Sequence, residues 1–190
     1  VLAYRPAPVQ LSGIGYFATT GLSTVDYFLT DETTAPVGEE AFFTEALLRL
    51  PHSHLCYAPL DEPMRPVAPP PFQKAGYVTF GSLNQFDKVT EELLSAWAEI
   101  LRQVPMARLF LKGSAFDDTA RRAMIDQRLL DSGLPLDRVD REGYTADYYA
   151  AYDRIDIALD SYPYPGGGTT CDALYRGVPV VTRCGRHHHQ

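Results

Sequence analysis

Residues 155–182 carry the pattern that decides the fold. They run Ile155-Asp156-Ile157-Ala158-Leu159-Asp160, a loop ending in Gly166-Gly167-Gly168-Thr169-Thr170, then Cys171-Asp172-Ala173-Leu174-Tyr175-Arg176 and Gly177-Val178-Pro179-Val180-Val181-Thr182. The apolar run Ile155–Leu159 predicts a strand, Thr170–Arg176 a short helix, and Val178–Thr182 a second strand.

The same alternation extends upstream. Tyr77-Val78-Thr79-Phe80 predicts a strand. Thr90 can cap the next helix, with Glu91 and Glu92 on its positive N-terminal end. Leu93, Leu94, Trp97, Ile100 and Leu101 form that helix's apolar stripe, and Pro105 ends it. Leu109-Phe110-Leu111 predicts another strand. Asp117 or Asp118 opens a helix that Gly133 caps, a short strand follows near Arg138-Val139, and Ala146–Arg154 reads as helical. Strand–helix alternation implies right-handed crossovers and an α/β fold with a parallel, doubly wound sheet. Such sheets bind ligands at the carboxyl ends of their strands, near a topological switch point. That rule nominates the loops Gly81–Lys88, Lys112–Phe116 and Asp160–Asp172.

Toward the N-terminus, Val9–Ile14, Asp26–Thr30 and Ser53–Tyr57 read as strands. Phe42, Phe43, Ala46, Leu47 and Leu50 have helical spacing, so Gly38–Leu50 is expected to be a helix stopped by Pro51. Prolines at 59, 63, 66, 69, 70 and 71 predict an extended linker. The expected division is 1–60, a linker over 61–74, and 75–190.

Composition narrows the function classes. The 190 residues carry a net charge of -7, which argues against non-specific nucleic-acid binding. The chain has no apolar run of membrane-spanning length, and its start is not a signal peptide. Cys56, Cys171 and Cys184 lack metal-type spacing and read as reduced cytosolic thiols, so a cytoplasmic location and no metal are expected. Val1 in place of an initiator Met, and a strand-like run close to Gln190, read as an excerpt of a longer chain.

Among the chemistry-bearing residues, Gly166–Thr170 precedes a helix. Glycines admit a phosphate to the backbone, helix N-terminal N–H groups attract anions, and the Thr169 and Thr170 hydroxyls add donors. A tight turn with a threonine cap is the structural alternative. Lys88 can neutralise a diphosphate or be a solvated lysine. Asn84 and Gln85 can read a nucleotide or hold their loop. Asp172 can grip ribose hydroxyls or complement the helix dipole. Tyr144, Tyr148, Tyr149 and Tyr152 read mainly as core, with one able to stack on a base. His52 and His54 would share a strand face without a third metal ligand. Arg5 and Gln10 read as a strand lead-in more readily than as ligand contacts.

Taken together, these stretches resemble the O-linked N-acetylglucosamine transferases of SPINDLY type. Arg5-Pro6-Ala7-Pro8-Val9-Gln10 with Gly15-Tyr16 and Thr19-Thr20-Gly21 is similar to the family's "RPAPxQ…GYxxTxG" segment, and Asp26-Tyr27 and Thr30-Asp31 continue it. Asn84-Gln85-Phe86-Asp87-Lys88, Trp97–Leu101 with Val104-Pro105, Asp156–Asp160, Gly168-Thr169-Thr170, Asp172-Ala173-Leu174 and Gly177–Thr182 follow in family order.

The resemblance implies a GT-B fold with two Rossmann-like halves, residues 1–60 ending the N-terminal half and 75–190 forming the front of the UDP-binding half. It implies UDP-GlcNAc as donor substrate, protein Ser/Thr hydroxyls as acceptors, inversion, and neither metal nor cofactor. Lys88 matches the family's essential lysine and Gln85 a nucleotide-contacting glutamine. Thr169 and Thr170 match the diphosphate pair, and Asp172 the ribose-binding aspartate. Tyr148 and Gly168 stand where animal members have histidines, which leaves other UDP-sugars and asparagine acceptors open, as well as a non-catalytic nucleotide-binding fragment. The short proline linker, in place of the large domain inserted in animal enzymes, looks bacterial. Absent catalytic and tetratricopeptide-repeat regions would be partners in the full-length chain, and the fragment alone is expected to be inactive. Arg186-His187-His188-His189 is read as native sequence rather than a tag.

Overall fold

The computed structural model describes residues 1–15, 17–60 and 66–185. Tyr16, the linker residues 61–65 and the Arg186–His189 tract lie outside the described residues. The chain divides into two compact units, Val1–Ala58 and Pro59–Cys184.

The first unit is built on three parallel strands in the order β1 (Leu11–Ser12), β2 (Tyr27–Asp31) and β3 (Ala46–Leu50). The expected helix over Gly38–Leu50 is not formed. Glu40–Phe42 makes one 3-10 turn, and Ala46–Leu50 pairs with β2 in register from Tyr27↔Ala46 to Asp31↔Leu50. Five apolar-rich residues are too few to separate helical from strand periodicity, and the neighbouring strand decides between them. Ser53–Tyr57 is not a strand either; it is a loop whose His54 turns back onto the end of β2.

The second unit holds a five-stranded, all-parallel sheet of β4 (Thr79–Ser82), β5 (Arg108–Lys112), β6 (Val139–Glu142), β7 (Ile157–Leu159) and β8 (Val180–Val181). Their spatial order is β6-β5-β4-β7-β8. The chain therefore steps outward from β4 to β6, then returns to lay β7 on the other side of β4. The crevice beyond the carboxyl ends of β4 and β7 is the topological switch point.

Both faces of this sheet are covered, as a doubly wound fold requires. Side chains alternate along a strand. Leu109 and Leu111 of β5 join Leu94, Trp97 and Leu101 of α2 (Glu91–Gln103; the preceding α1, Phe72–Ala75, is a single turn). Ile125 and Leu129 of α3 (Thr119–Asp131) join the same core. Phe110, between the two leucines, faces the other core with Tyr152, Ile155, and Ala173 of α4 (Gly168–Tyr175). Trp97 is 2% exposed, and its loss to alanine would cost about 3–5 kcal/mol. The Thr90 and Asp118 side chains accept from Leu93 N and Arg121 N, so both helices start on side-chain caps. Gly133 follows α3 at φ +84°, a left-handed conformation that side chains rarely adopt. The stretch expected as a helix at Ala146–Arg154 is a 3-10 helix over Tyr149–Arg154.

The described part of the proline-rich stretch is held against this unit. Pro66 O accepts from Arg176, and Phe72 N donates to Asp156 Oδ1 at 2.9 Å. No helix among the described residues is long and apolar enough to cross a membrane.

Candidate functional site

Two loops at the switch point carry most of the residues singled out in the sequence. The loop after β4 contributes Asn84, Gln85 and Lys88. The loop after β7 contributes Asp160 through Gly167 and leads into α4 with Thr169, Thr170 and Asp172. The crevice between them is lined by Gly81, Leu83, Asn84, Asp160, Thr169 and Thr170, among others.

Asp160 is the hub. One of its oxygens, Oδ1, accepts from Asn84 Nδ2 at 3.1 Å, Ser161 N at 2.8 Å and Gly166 N at 2.7 Å. Asn84 then accepts on Oδ1 from the Thr169 hydroxyl at 2.7 Å. The Thr170 hydroxyl donates to Gly166 O at 2.9 Å. Both threonine hydroxyls therefore donate inward, Thr169 across to the loop after β4 and Thr170 within its own loop, and fix the first turn of α4. The donors this turn presents outward are main-chain N–H groups without an intrahelical acceptor, the groups that suit an anion. Gly166 sits at a close approach: a Cβ there would stand 2.2 Å from Thr169 Oγ1 and 2.8 Å from Asn84 Oδ1, both of which would have to turn away.

Lys88 closes the 3-10 turn Phe86–Lys88, and Gln85 is exposed at the start of that turn. The Lys88 ammonium lies over the Tyr164 ring, 4.3 Å from its centroid. Burial pushes the Lys88 pKa down, and the negative charge of Asp160 partly opposes this. The chain has three lysines, Lys74, Lys88 and Lys112. Lys112 is buried and spoken for by Glu142 Oε1, Gly143 O and Thr145 Oγ1, so the nominated loop after β5 is a structural clamp.

Three tyrosines underlie the helix. Tyr148 and Tyr152 share a hydrogen bond between their hydroxyls at 2.8 Å, and Tyr152 OH donates to Thr169 O at 3.1 Å. Burial raises both phenols above their ordinary range. Tyr149 OH donates to Asp172 Oδ1 at 3.2 Å and orients that carboxylate. Tyr144 is 77% exposed and lies outside this packing. Gly168 is exposed as the first residue of α4.

The structure thus places Thr169 and Thr170 in the lining of this crevice, Lys88 beside it over Tyr164, and Asp172 and Tyr148 with the tyrosines packed under α4, while Gln85 and Gly168 are exposed. Sequence reasoning missed Asp160 as hub and Tyr164 as the lysine's neighbour. An aspartate directly after an apolar strand was the available signal for the first; the second had none.

In the first unit the singled-out residues stitch loops together. Asp26 accepts from Arg5 at 2.7 Å and Gln10 N at 2.8 Å, and Gln10 Nε2 donates to Leu2 O and Thr24 O. Glu45 accepts from the Thr19 and Thr20 hydroxyls. His54 bonds to Asp31, while His52 is exposed, and no group of metal-ligating residues occurs among the described residues.

Comparison with known proteins bears on the fold. Residues 1–58 match the profile of glycosyl transferase family 41. A protein of Petunia hybrida named as a probable UDP-N-acetylglucosamine–peptide N-acetylglucosaminyltransferase, SPINDLY, is 44% identical over 191 residues, covering 99% of this chain and 20% of that protein. The chain therefore spans about a fifth of the length of the curated relatives it matches. Among solved structures, a lysine-to-methionine mutant of the Thermobaculum terrenum O-GlcNAc transferase is 34% identical with a TM-score of 0.84, over 97% of this chain and 35% of that one. A sucrose-phosphate synthase of Thermosynechococcus elongatus, 22% identical with a TM-score of 0.57 over 82% of this chain and 40% of its own, shares the fold alone. Over nearly its whole length the chain is thus similar to SPINDLY-type O-linked N-acetylglucosamine transferases, with residues 1–58 matching the glycosyl transferase family 41 profile and parallel sheets of the GT-B type.

Proposed function

We propose that the unit over residues 59–184 binds the UDP part of UDP-GlcNAc, and that the whole protein transfers GlcNAc to Ser/Thr hydroxyls of proteins. The observation that carries this is that the Lys88 ammonium lies over Tyr164, within the field of Asp160, in the same switch-point loops that lead into the N-terminal turn of α4. A diphosphate there would receive main-chain N–H groups at Gly168, Thr169 and Thr170 and the charge of Lys88. Asp172, oriented by Tyr149, would accept from ribose hydroxyls, and Gln85 would contact the nucleotide. Tyr148 would support the helix through Tyr152.

In this reading the acceptor oxygen attacks the sugar's C1 from the face opposite UDP. The bond from C1 to the β-phosphate oxygen breaks, its electron pair leaves on UDP, the acceptor hydroxyl's proton passes through solvent to a phosphate oxygen of the departing UDP, and the configuration at C1 inverts. Negative charge grows on the departing phosphate, where Lys88 and the helix N-terminus stand, so they stabilise the transition state more than the ground state. This charge work needs no metal or cofactor. Cytoplasmic residence fits the three free cysteines. Acceptor recognition falls to regions of the full-length protein beyond this chain, tetratricopeptide repeats among them.

The test is calorimetric titration of the folded chain with UDP. Saturable binding that weakens at least tenfold, about 1.4 kcal/mol, in Lys88→Ala is expected. A folded parent that does not bind UDP overturns the reading. Competition by UDP-GlcNAc, UDP-glucose and other UDP-sugars then separates GlcNAc from another donor.

A further inference from the structure

We propose that Tyr164 is a positioning residue whose ring face holds the Lys88 ammonium beside the loop that leads from β7 into α4, and so sets where that charge would meet a diphosphate. The proposal rests on the reading of Lys88 given above.

Its basis is the way Tyr164 is presented. An aromatic face attracts an ammonium through its quadrupole, and Lys88 Nζ lies 4.3 Å from the ring centroid. The ring is 39% exposed, so apolar burial does not explain its place. Its backbone, by contrast, is pinned. The Ser161 hydroxyl, on a residue 2% exposed, donates to Tyr164 O at 2.7 Å. On either side, Ser161 N and Gly166 N both donate to Asp160 Oδ1. Thr90 Oγ1 ties the same loop to the start of α2 through Tyr162 O at 3.4 Å. A lysine has four rotatable bonds and would otherwise sample solvent. The ring supplies an attraction that ends where a diphosphate would begin. An ammonium can keep its ring contact while its N–H groups turn to phosphate oxygens, so binding a diphosphate breaks no hydrogen bond to the ring.

Tyr162 provides an internal control. Its ring carries Arg183 at 4.4 Å, and Arg183 is paired with Glu92 at 2.5 Å on α2. That contact involves neither Lys88 nor Asp160.

With only three lysines, 13C-lysine NMR of the full chain resolves Lys88 directly, its signal assigned by its loss in Lys88→Arg. Tyr164→Leu is expected to lower the pH at which Lys88 titrates by about half a unit, while Tyr164→Phe and Tyr162→Leu leave it in place. Tyr164→Leu is also expected to weaken UDP binding about three- to tenfold, with Tyr164→Phe restoring it. In a Lys88→Ala background, Tyr164→Leu should have no further effect. An unchanged Lys88 titration in folded Tyr164→Leu overturns the proposal whether or not UDP binds. Equal weakening with and without Lys88 overturns it as well, because Tyr164 would then touch the nucleotide itself. Loss of UDP binding by the parent with the Lys88 shift still present would sink the diphosphate reading and leave the ring–ammonium coupling standing.

Discussion

Asp31 and Asp160 occupy equivalent places in their two units and are used differently. Each stands where a parallel strand gives way to a loop, β2 in one case and β7 in the other, and each gathers N–H groups. Asp31 accepts from Thr33 N at 3.0 Å and Thr34 N at 2.7 Å on one oxygen. On the other it accepts from His54 N at 2.8 Å and His54 Nδ1 at 2.6 Å. An ionised carboxylate only accepts, so His54 Nδ1 carries the proton. The Phe17 ring packs edge-on to the imidazole, 5.7 Å between centroids, and closes the arrangement. Around Asp160 the donors sit on Oδ1, and the surroundings include a lysine, a glycine loop and a helix N-terminus. The same device locks a loop onto a histidine in one unit and, in the other, shapes the loop that carries the proposed diphosphate site.

The sharpest way to break the comparison is to remove the closed hub. Asp31 is 2% exposed, and Asp31→Ala strands four donors together. A loss of about 3–5 kcal/mol is expected, read by urea denaturation, with Asp31→Asn losing roughly half as much. A loss below about 1 kcal/mol in Asp31→Ala would mean that the loop holds itself without the carboxylate.

The open hub should answer in binding instead. Gly166→Ala places a methyl group on Thr169 Oγ1 and Asn84 Oδ1, both side-chain ends that can rotate away. The fold therefore tolerates it, but the link from Asn84 to Thr169 breaks. UDP affinity is expected to fall about tenfold, with the thermal midpoint moving only a few degrees. Equal affinity in Gly166→Ala would separate the loop's shape from the ligand.

These hubs also mark where the sequence ceased to be legible. The second unit's alternation could be read because each helix carries its own cap and stripe: Thr90 with Leu94, Trp97 and Leu101, Asp118 with Ile125 and Leu129. These are local signals. Gly38–Leu50 misled because its apolar spacing fits a helix, while β2, some twenty residues upstream, recruits Ala46–Leu50 as a strand. Nothing local marks that pairing. The candidate site divides in the same way. Glycines and threonines before a helix announce an anion-type turn, but Asn84 reaches Asp160 and Thr169 across 76 and 85 residues. Only the assembled sheet shows that the threonine hydroxyls are occupied.

Acid titration sharpens the contrast by a smaller margin. Burial pushes the Asp31 carboxyl up, but the hydrogen bonds from His54 and Thr34 outweigh it and hold it well below the usual carboxylate range. A depressed folded value means that the unfolded chain takes up the proton first. The stability it contributes is complete above the ordinary carboxylate pKa of about 3.9 and is lost as the pH falls from there toward the folded value. Stability should therefore fall with decreasing pH below about 4, and Asp31→Asn should flatten that slope. Identical slopes in parent and variant would place the acid sensitivity elsewhere, Glu45 being the next candidate because its bonds from Thr19 and Thr20 overcome burial in the same sense.

The smallest effect is expected at Tyr148. Its hydroxyl is bonded to Tyr152, whose own hydroxyl holds Thr169 O, so Tyr148 reaches the first turn of α4 only through a second tyrosine. Tyr148→Phe keeps the ring packing against Tyr149 and Tyr152 and removes one hydrogen bond. Tyr152 is buried and Tyr148 half-buried, so the loss is a net hydrogen bond of at most about 1 kcal/mol in stability. The effect on UDP affinity should be at most about threefold, because the turn keeps its ties to Asn84 and Gly166. Tyr152→Phe, one step closer, should weaken UDP more than Tyr148→Phe. If the order reverses, Tyr148 touches the ligand directly, as a contact to it rather than a support beneath the turn.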